Sequence, residues 1–168
     1  QWVEMNEMFN KAINIDPEAK IDNRPISELV KNYRSMFWAE NYNKAVNMYN
    51  EYKGSKDKSK LKDAVNRFEQ TAKIDPSEVQ TYSILATSYY ELGDNEKSLS
   101  SAIKANKIMP EDFQTNMTLG QILSFTGDKE NAINYIKKAV EIDPSNSNAV
   151  RSLATLYYDL GDKEKSVE

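Results

Sequence analysis

Residues 74–94 read IDPSEVQTYSILATSYYELGD, residues 108–128 read IMPEDFQTNMTLGQILSFTGD, and residues 142–162 read IDPSNSNAVRSLATLYYDLGD. Stacked, the three lines place Pro76, Pro110 and Pro144 at one register and the pairs Gly93-Asp94, Gly127-Asp128 and Gly161-Asp162 at another, each series stepping by 34 residues. A fixed step of that size is the sequence signature of a repeat array, in which each unit is one supersecondary element that buries its apolar face against its neighbours.

Aligned on the prolines, the units are 79–112, 113–146 and a truncated 147–168. Position 4 holds Tyr82, Asn116 and Val150, position 7 holds Leu85, Leu119 and Leu153, position 8 holds Ala86, Gly120 and Ala154, and position 11 holds Tyr89, Leu123 and Tyr157. At ~100° per residue these offsets share one side of a helix, here helix A, and the small residue at position 8 admits a second helix closely. Glycine at position 15 supplies a left-handed C-cap, and the aspartate after it caps helix B. Helix B presents Ser98, Ala132 and Ser166 at position 20, Ala102 and Ile136 at position 24, and Ala105 and Ala139 at position 27.

This pattern resembles the tetratricopeptide repeat (TPR) family, with a large residue at 4, Leu at 7, Gly or Ala at 8, Tyr at 11, small residues at 20 and 27, and Pro at 32. The resemblance implies an all-α fold, a helix-turn-helix solenoid coiled into a right-handed superhelix, with helix A lining a concave face and helix B a convex one. Asn116 departs from the pattern at position 4. A preceding helix B at 58–74, with Ala64, Phe68 and Pro76, extends the regular array to 58–168.

Residues 1–57 are expected to be degenerate TPR-like helices. Met5, Phe9 and Ala12 pattern a helix over 2–14, stopped by Ile15-Asp16-Pro17 and similar to another helix B. Pro25 opens an amphipathic stretch over 26–53 whose apolar stripe slips phase between Trp38 and Tyr42. That leaves one long helix whose buried face rotates, or two helices broken near Asn41; the lack of Gly or Pro inside it favours one. Residues 53–63 read as a solvated Lys-rich loop rather than a nucleic-acid patch, since no aromatic is interleaved and Asp57 and Asp63 offset the charge.

Composition narrows the chemistry. The chain has 168 residues, 39% hydrophobic and 29% charged, with a net charge of -4. No apolar run approaches a membrane span, and so mild a charge draws it to neither nucleic acid nor anionic lipid. Cysteine and histidine are both absent. A zinc site, a Ser-His-Asp triad and a His proton shuttle are therefore ruled out, and the carboxylates Glu78, Glu111, Asp112 and Glu141 stand beside no partner for catalysis. No enzymatic activity, cofactor or metal is expected. Gln1 is not an initiator and no leader pattern follows it, so the chain reads as a piece of something longer and its compartment is not legible.

Taking helix A as the groove wall, positions 2, 5, 9 and 12 face away from the core stripe. They read Gln80, Ser83, Thr87 and Tyr90; Gln114, Met117, Gln121 and Ser124; and Asn148, Arg151, Thr155 and Tyr158. Only Arg151 among them is charged, whereas Glu96, Lys97, Lys104, Lys107, Glu130, Lys137, Lys138 and Glu141 crowd the outer side of helix B. Amides and hydroxyls suit the backbone of an extended peptide, with Met117, Phe125, Tyr90 or Tyr158 taking an apolar side chain. The register that grips chaperone C-termini in the family holds Ser83, Thr87, Thr118, Asn148 and Ser152 here, and the position of an Asn ladder holds Ile84, Thr118 and Ser152. Neither ligand class is expected. The leading expectation is a non-catalytic scaffold for a protein or peptide partner. The alternatives are a structural segment that self-associates through uncapped ends, and a substrate-presenting arm of a larger enzyme.

Overall fold

The computed structural model describes residues 2–162 together with Glu164 and Ser166. The fold is all-α, and the chain divides into two compact units, residues 1–81 and 82–168. Among the described residues no helix is long and apolar enough to cross a membrane.

The first unit opens with α1 (Trp2–Ile15), followed by a minimal hairpin of β1 (Lys20–Ile21) and β2 (Arg24–Pro25). Asp22 and Asn23 turn that hairpin with φ of 51° and 63°, a left-handed pair that short polar side chains tolerate. Then α2 runs without a break from Ile26 to Ser55, and α3 spans Lys58–Ile74. Val30, Asn41, Ala45 and Tyr52 are the buried positions of α2. The phase slip read near Trp38 is thus a rotation of the buried stripe within one helix: Arg34 and Phe37 meet α1, while Asn41 and Tyr42 meet α3.

The Lys-rich segment is not the loop expected over 53–63. Only Lys56 and Asp57 separate α2 from α3, because Lys56 takes the left-handed C-cap (φ 60°) and Asp57 accepts the Ser59 N–H at 2.8 Å as N-cap. Lysine is a good helix former, and Lys53 lies over the rings of Tyr49 and Tyr52 while Lys60 reaches Glu51 at 3.1 Å. The core of this unit is Phe68, Leu61, Ala64, Val65 and Ile74 of α3 against α2, with Tyr42 edge-on to Phe68 at 5.6 Å.

No residue of α1 is fully buried. Half-buried Trp2, Met5 and Phe9 attach it together with polar contacts. Arg34 donates to the side-chain oxygens of Asn6 and Asn10 at 2.8 Å each, and Asn6 in turn donates to the last carbonyls of α3, Lys73 at 2.6 Å and Ile74 at 2.9 Å.

The second unit takes up α4 (Val79–Leu92) from Tyr82 onward and continues through α5 (Asn95–Ile108), α6 (Phe113–Thr126), α7 (Lys129–Ile142) and α8 (Ser147–Asp159). The repeat punctuation works as the sequence implies. Gly93, Gly127 and Gly161 sit at φ of 85°, 96° and 85°, and Asp94 and Asp128 accept the Lys97 and Asn131 N–H groups as N-caps of α5 and α7. Asp112 and Asn146 cap α6 and α8 in the same way.

The core follows the register. Ala86, Ala102, Leu119, Leu123, Ala132, Ile136 and Ala139 form one buried cluster, and Ser98 is buried with its hydroxyl donating to Ala86 O at 2.7 Å. Gly120 marks the closest approach of α6 to α7: a Cβ there would lie 2.6 Å from Ile136 Cγ1. Asn116, where the pattern wants an aromatic, is fully buried and satisfied. Its amide donates to Pro110 O at 2.9 Å and Asp112 O at 2.8 Å, and its oxygen accepts from Asn106. In the third unit the same seam is open among the described residues, Val150 being 43% exposed where Tyr82 is 5% exposed. The helix B expected after Asp162 lies largely outside the described residues.

Candidate functional site

The outward face of helix A is displayed on α4, α6 and α8, each held in place by its buried seam. Gln80, at the end of the first unit, is exposed, as are Thr87, Gln114, Gln121, Asn148, Arg151, Thr155 and Tyr158, while Ser83 and Ser124 are half-buried. Met117 does not belong to this surface. It is 5% exposed and lies in the same buried cluster as Ala86 and Ala149. The physical reason is the middle position of α6, in which every residue from Thr115 to Gly120 is buried; a flexible thioether fills that interior in preference to facing water.

A cleft of about 200 Å³ lies between α6 and α8. Gln121, Ser124 and Phe125 line it from α6, Arg151, Ser152, Thr155, Leu156 and Asp159 from α8, and Ile136 forms part of its floor from α7. Five residues expected on the groove thus come together: Gln121, Ser124, Phe125, Arg151 and Thr155. Gln114, Asn148 and Tyr158 share the face but not the cleft, and Ser152, Leu156 and Asp159 were not expected there. Asp159 stands one repeat on from Phe125, so the signal that selects position 13 in one unit would have selected it in the next.

Side-chain bonding sets what the cleft can offer. Ser152 and Thr155 donate their hydroxyl protons to the carbonyls of Asn148 and Arg151, at 2.7 and 2.8 Å, and so present only lone pairs to a ligand. Asp159 accepts from Lys129 at 2.7 Å, which neutralises the one carboxylate of the lining. Donors come from the Gln121 amide and the Arg151 guanidinium. At the apolar end Phe125, 60% exposed, stacks against Tyr90 with ring centroids 4.9 Å apart and planes 18° apart. Two exposed rings fixed face to face form a ledge whose geometry is set before any ligand arrives.

The groups whose protonation is displaced lie elsewhere. Hydrogen bonds from Ser59 and Ser145 hold Asp57 and Asp143 below the ordinary carboxylate range, and Lys44 does the same for Glu40. Burial raises Tyr42, and burial with the nearby Asp75 raises Glu78. None of these lines the cleft.

Residues 113–146 match the sequence model of the family described as tetratricopeptide repeat. No curated protein sequence matches the chain. Among solved structures it is similar to a crystal structure of MamA protein at 19% identity and a TM-score of 0.65, covering 77% of this chain and 69% of that one. A second MamA crystal structure gives 21% identity and a TM-score of 0.61 over 66% of this chain, which spans only 64% of that chain's length. The first TPR of Spaghetti (RPAP3), bound to the HSP90 peptide SRMEEVD, gives 17% identity and a TM-score of 0.61, covering 71% of this chain and 94% of that one. Residues 113–146 thus carry a tetratricopeptide repeat, and the paired helices around them share the fold of these neighbours.

Proposed function

We propose that the chain is a non-catalytic interaction scaffold whose helix A face holds an extended segment of a partner protein. The observation that carries this reading is the cleft between α6 and α8, where an aromatic ledge adjoins amide and hydroxyl groups suited to a peptide backbone. A structural neighbour bound to a peptide supports a protein ligand in preference to a small molecule. The test is a pull-down followed by titration of the captured partner. The double substitution Thr87→Glu, Gln121→Glu sets two charges on an exposed face without touching the core, so it should abolish binding while leaving the circular dichroism spectrum intact. Undiminished binding by that variant would move the site off helix A.

A second reading has its own observation. The seam of α8, with Val150 43% exposed, is an apolar face of the kind that stacks on a further repeat or on a second copy. Light scattering across a concentration series separates the two, because a strictly monomeric chain at high concentration eliminates self-stacking.

A further inference from the structure

Within the scaffold reading, on which this inference rests, we propose that the cleft selects a segment carrying a carboxylate side chain, Glu or Asp, four or five residues from a bulky apolar side chain. The carboxylate seats on Arg151 and the apolar group on the Phe125 ledge.

Charge complementarity carries the argument. Arg151 is exposed, and no ion pair or hydrogen bond engages its guanidinium among the described residues, whereas Asp159, Ser152 and Thr155 beside it in the lining are already engaged. Lys129 takes the charge of Asp159, and the Ser152 and Thr155 hydroxyls bond their own helix. One cation with its planar donors unspent is left in a lining otherwise without net charge. A carboxylate matches that fork in two parallel hydrogen bonds, which an amide or ammonium ligand cannot do. The Thr155 and Ser152 lone pairs can then accept backbone N–H groups of the bound segment.

The repeat register supplies the spacing. Arg151 is at position 5 of helix A and Phe125 at position 13, and α6 and α8 are the same element of successive units. Eight helical steps at ~1.5 Å separate those levels by ~12 Å along the axes, and the ~8–10 Å between neighbouring helices brings the span to ~15 Å. An extended chain covers that in four to five residues at ~3.3 Å each.

The test uses synthetic arrays of C-terminally amidated decapeptides, with Phe, Leu or Trp fixed at one position, Glu, Gln or Lys placed one to five residues away, and the remainder randomised. The labelled protein should favour Glu at four or five residues over Gln at the same place by about tenfold, the ratio typical of one charge-assisted contact. Arg151→Gln should erase that ratio, Arg151→Glu should favour Lys instead, and Phe125→Ala should erase the apolar preference alone. Both side chains are exposed, so matched circular dichroism spectra are expected for every variant. If peptides bind and Phe125→Ala weakens them, but Glu and Gln are equivalent and Arg151→Gln is silent, the carboxylate assignment is overturned while the groove stands. Retention only of peptides made with a free C-terminus also overturns the side-chain assignment. If no peptide binds the unsubstituted protein, both fall.

Discussion

Replacing Gly120 by Ala tests whether the register dictates packing at atomic scale. The added Cβ would stand 2.6 Å from Ile136 Cγ1, 2.8 Å from Ile136 Cδ1 and 3.2 Å from Ala132 O. Carbon atoms rest at about 3.5–4.0 Å, so the overlap with Cγ1 is about 1 Å. Ile136 is 1% exposed and, being β-branched in a helix, is confined to essentially one χ1 rotamer, so it cannot swing clear. The third contact is backbone and cannot yield without moving α7. Alanine gains about 1 kcal/mol over glycine from helix propensity, and overpacking costs about 1–3 kcal/mol. The net expectation is a loss of about 1 kcal/mol, or a melting temperature lower by about 2–4 °C. The preceding unit shows how the contact is relieved, since Ala86 there faces the small, fully buried Ala102 at the position equivalent to Ile136. Combining Gly120→Ala with Ile136→Ala recreates that pair, so the double variant should lose about 1 kcal/mol less than the sum of the single losses. Urea denaturation of the four proteins measures the coupling. A stabilised Gly120→Ala, with strictly additive losses, would refute the account.

Three further outcomes are expected. Ser88 is fully buried with its hydroxyl unpartnered, at the register where Ile122 and Leu156 stand in the next units, so Ser88→Ala should stabilise by about 1 kcal/mol in thermal melts; a loss would reveal a partner for the hydroxyl. Asp128 caps α7, accepting from the Asn131 N–H at 3.3 Å and its amide at 2.9 Å, so Asp128→Ala should cost about 1 kcal/mol in urea, and Asp128→Asn much less. Asp57 and Asp143 are depressed in the fold, so the unfolded chain takes up protons first as acid is added. Their stabilisation is complete above the ordinary aspartate value of about 4 and is lost as pH falls through the lower folded values. Denaturation curves between pH 7 and pH 2 should show that decline, and Asp57→Asn with Asp143→Asn, which keep an acceptor but cannot titrate, should flatten it. Glu78, raised by burial, runs the other way and favours the acid side.

The register made the second unit legible because its information is local and repeated. Gly-Asp pairs stop one helix and cap the next, and positions 4, 7, 8 and 11 bury wherever helix B is present to cover them. What the offsets could not show is depth. Position 5 holds Arg151 on an exposed helix and Met117 on a covered one, a difference set by neighbours that periodicity does not see. Hydroxyl direction was equally hidden: the sequence does not show that Ser152 and Thr155 donate to their own helix and leave only lone pairs for a ligand. In the first unit, Gly54 invited a loop where the helix continues to Ser55, because the lysine stems pack on tyrosine rings and Lys56 adopts the left-handed cap.

The attachment of α1 through Arg34 and Asn6 has a kinetic consequence. In α1 the apolar side chains Trp2, Met5, Phe9 and Ile13 are only half-buried where α3 keeps Leu61 and Phe68 fully buried, so its opening free energy lies below that of α2 and α3, and its amides should exchange with solvent in a separate, faster class. Lifting would release the carbonyls of Lys73 and Ile74 to water and part the tilted rings of Trp2 and Phe37, while Leu61 and Phe68 remain shut. The first unit is thereby built as a stable helix pair carrying a detachable flap, and a protease should nick the hairpin behind α1 before it cuts anywhere in the pair.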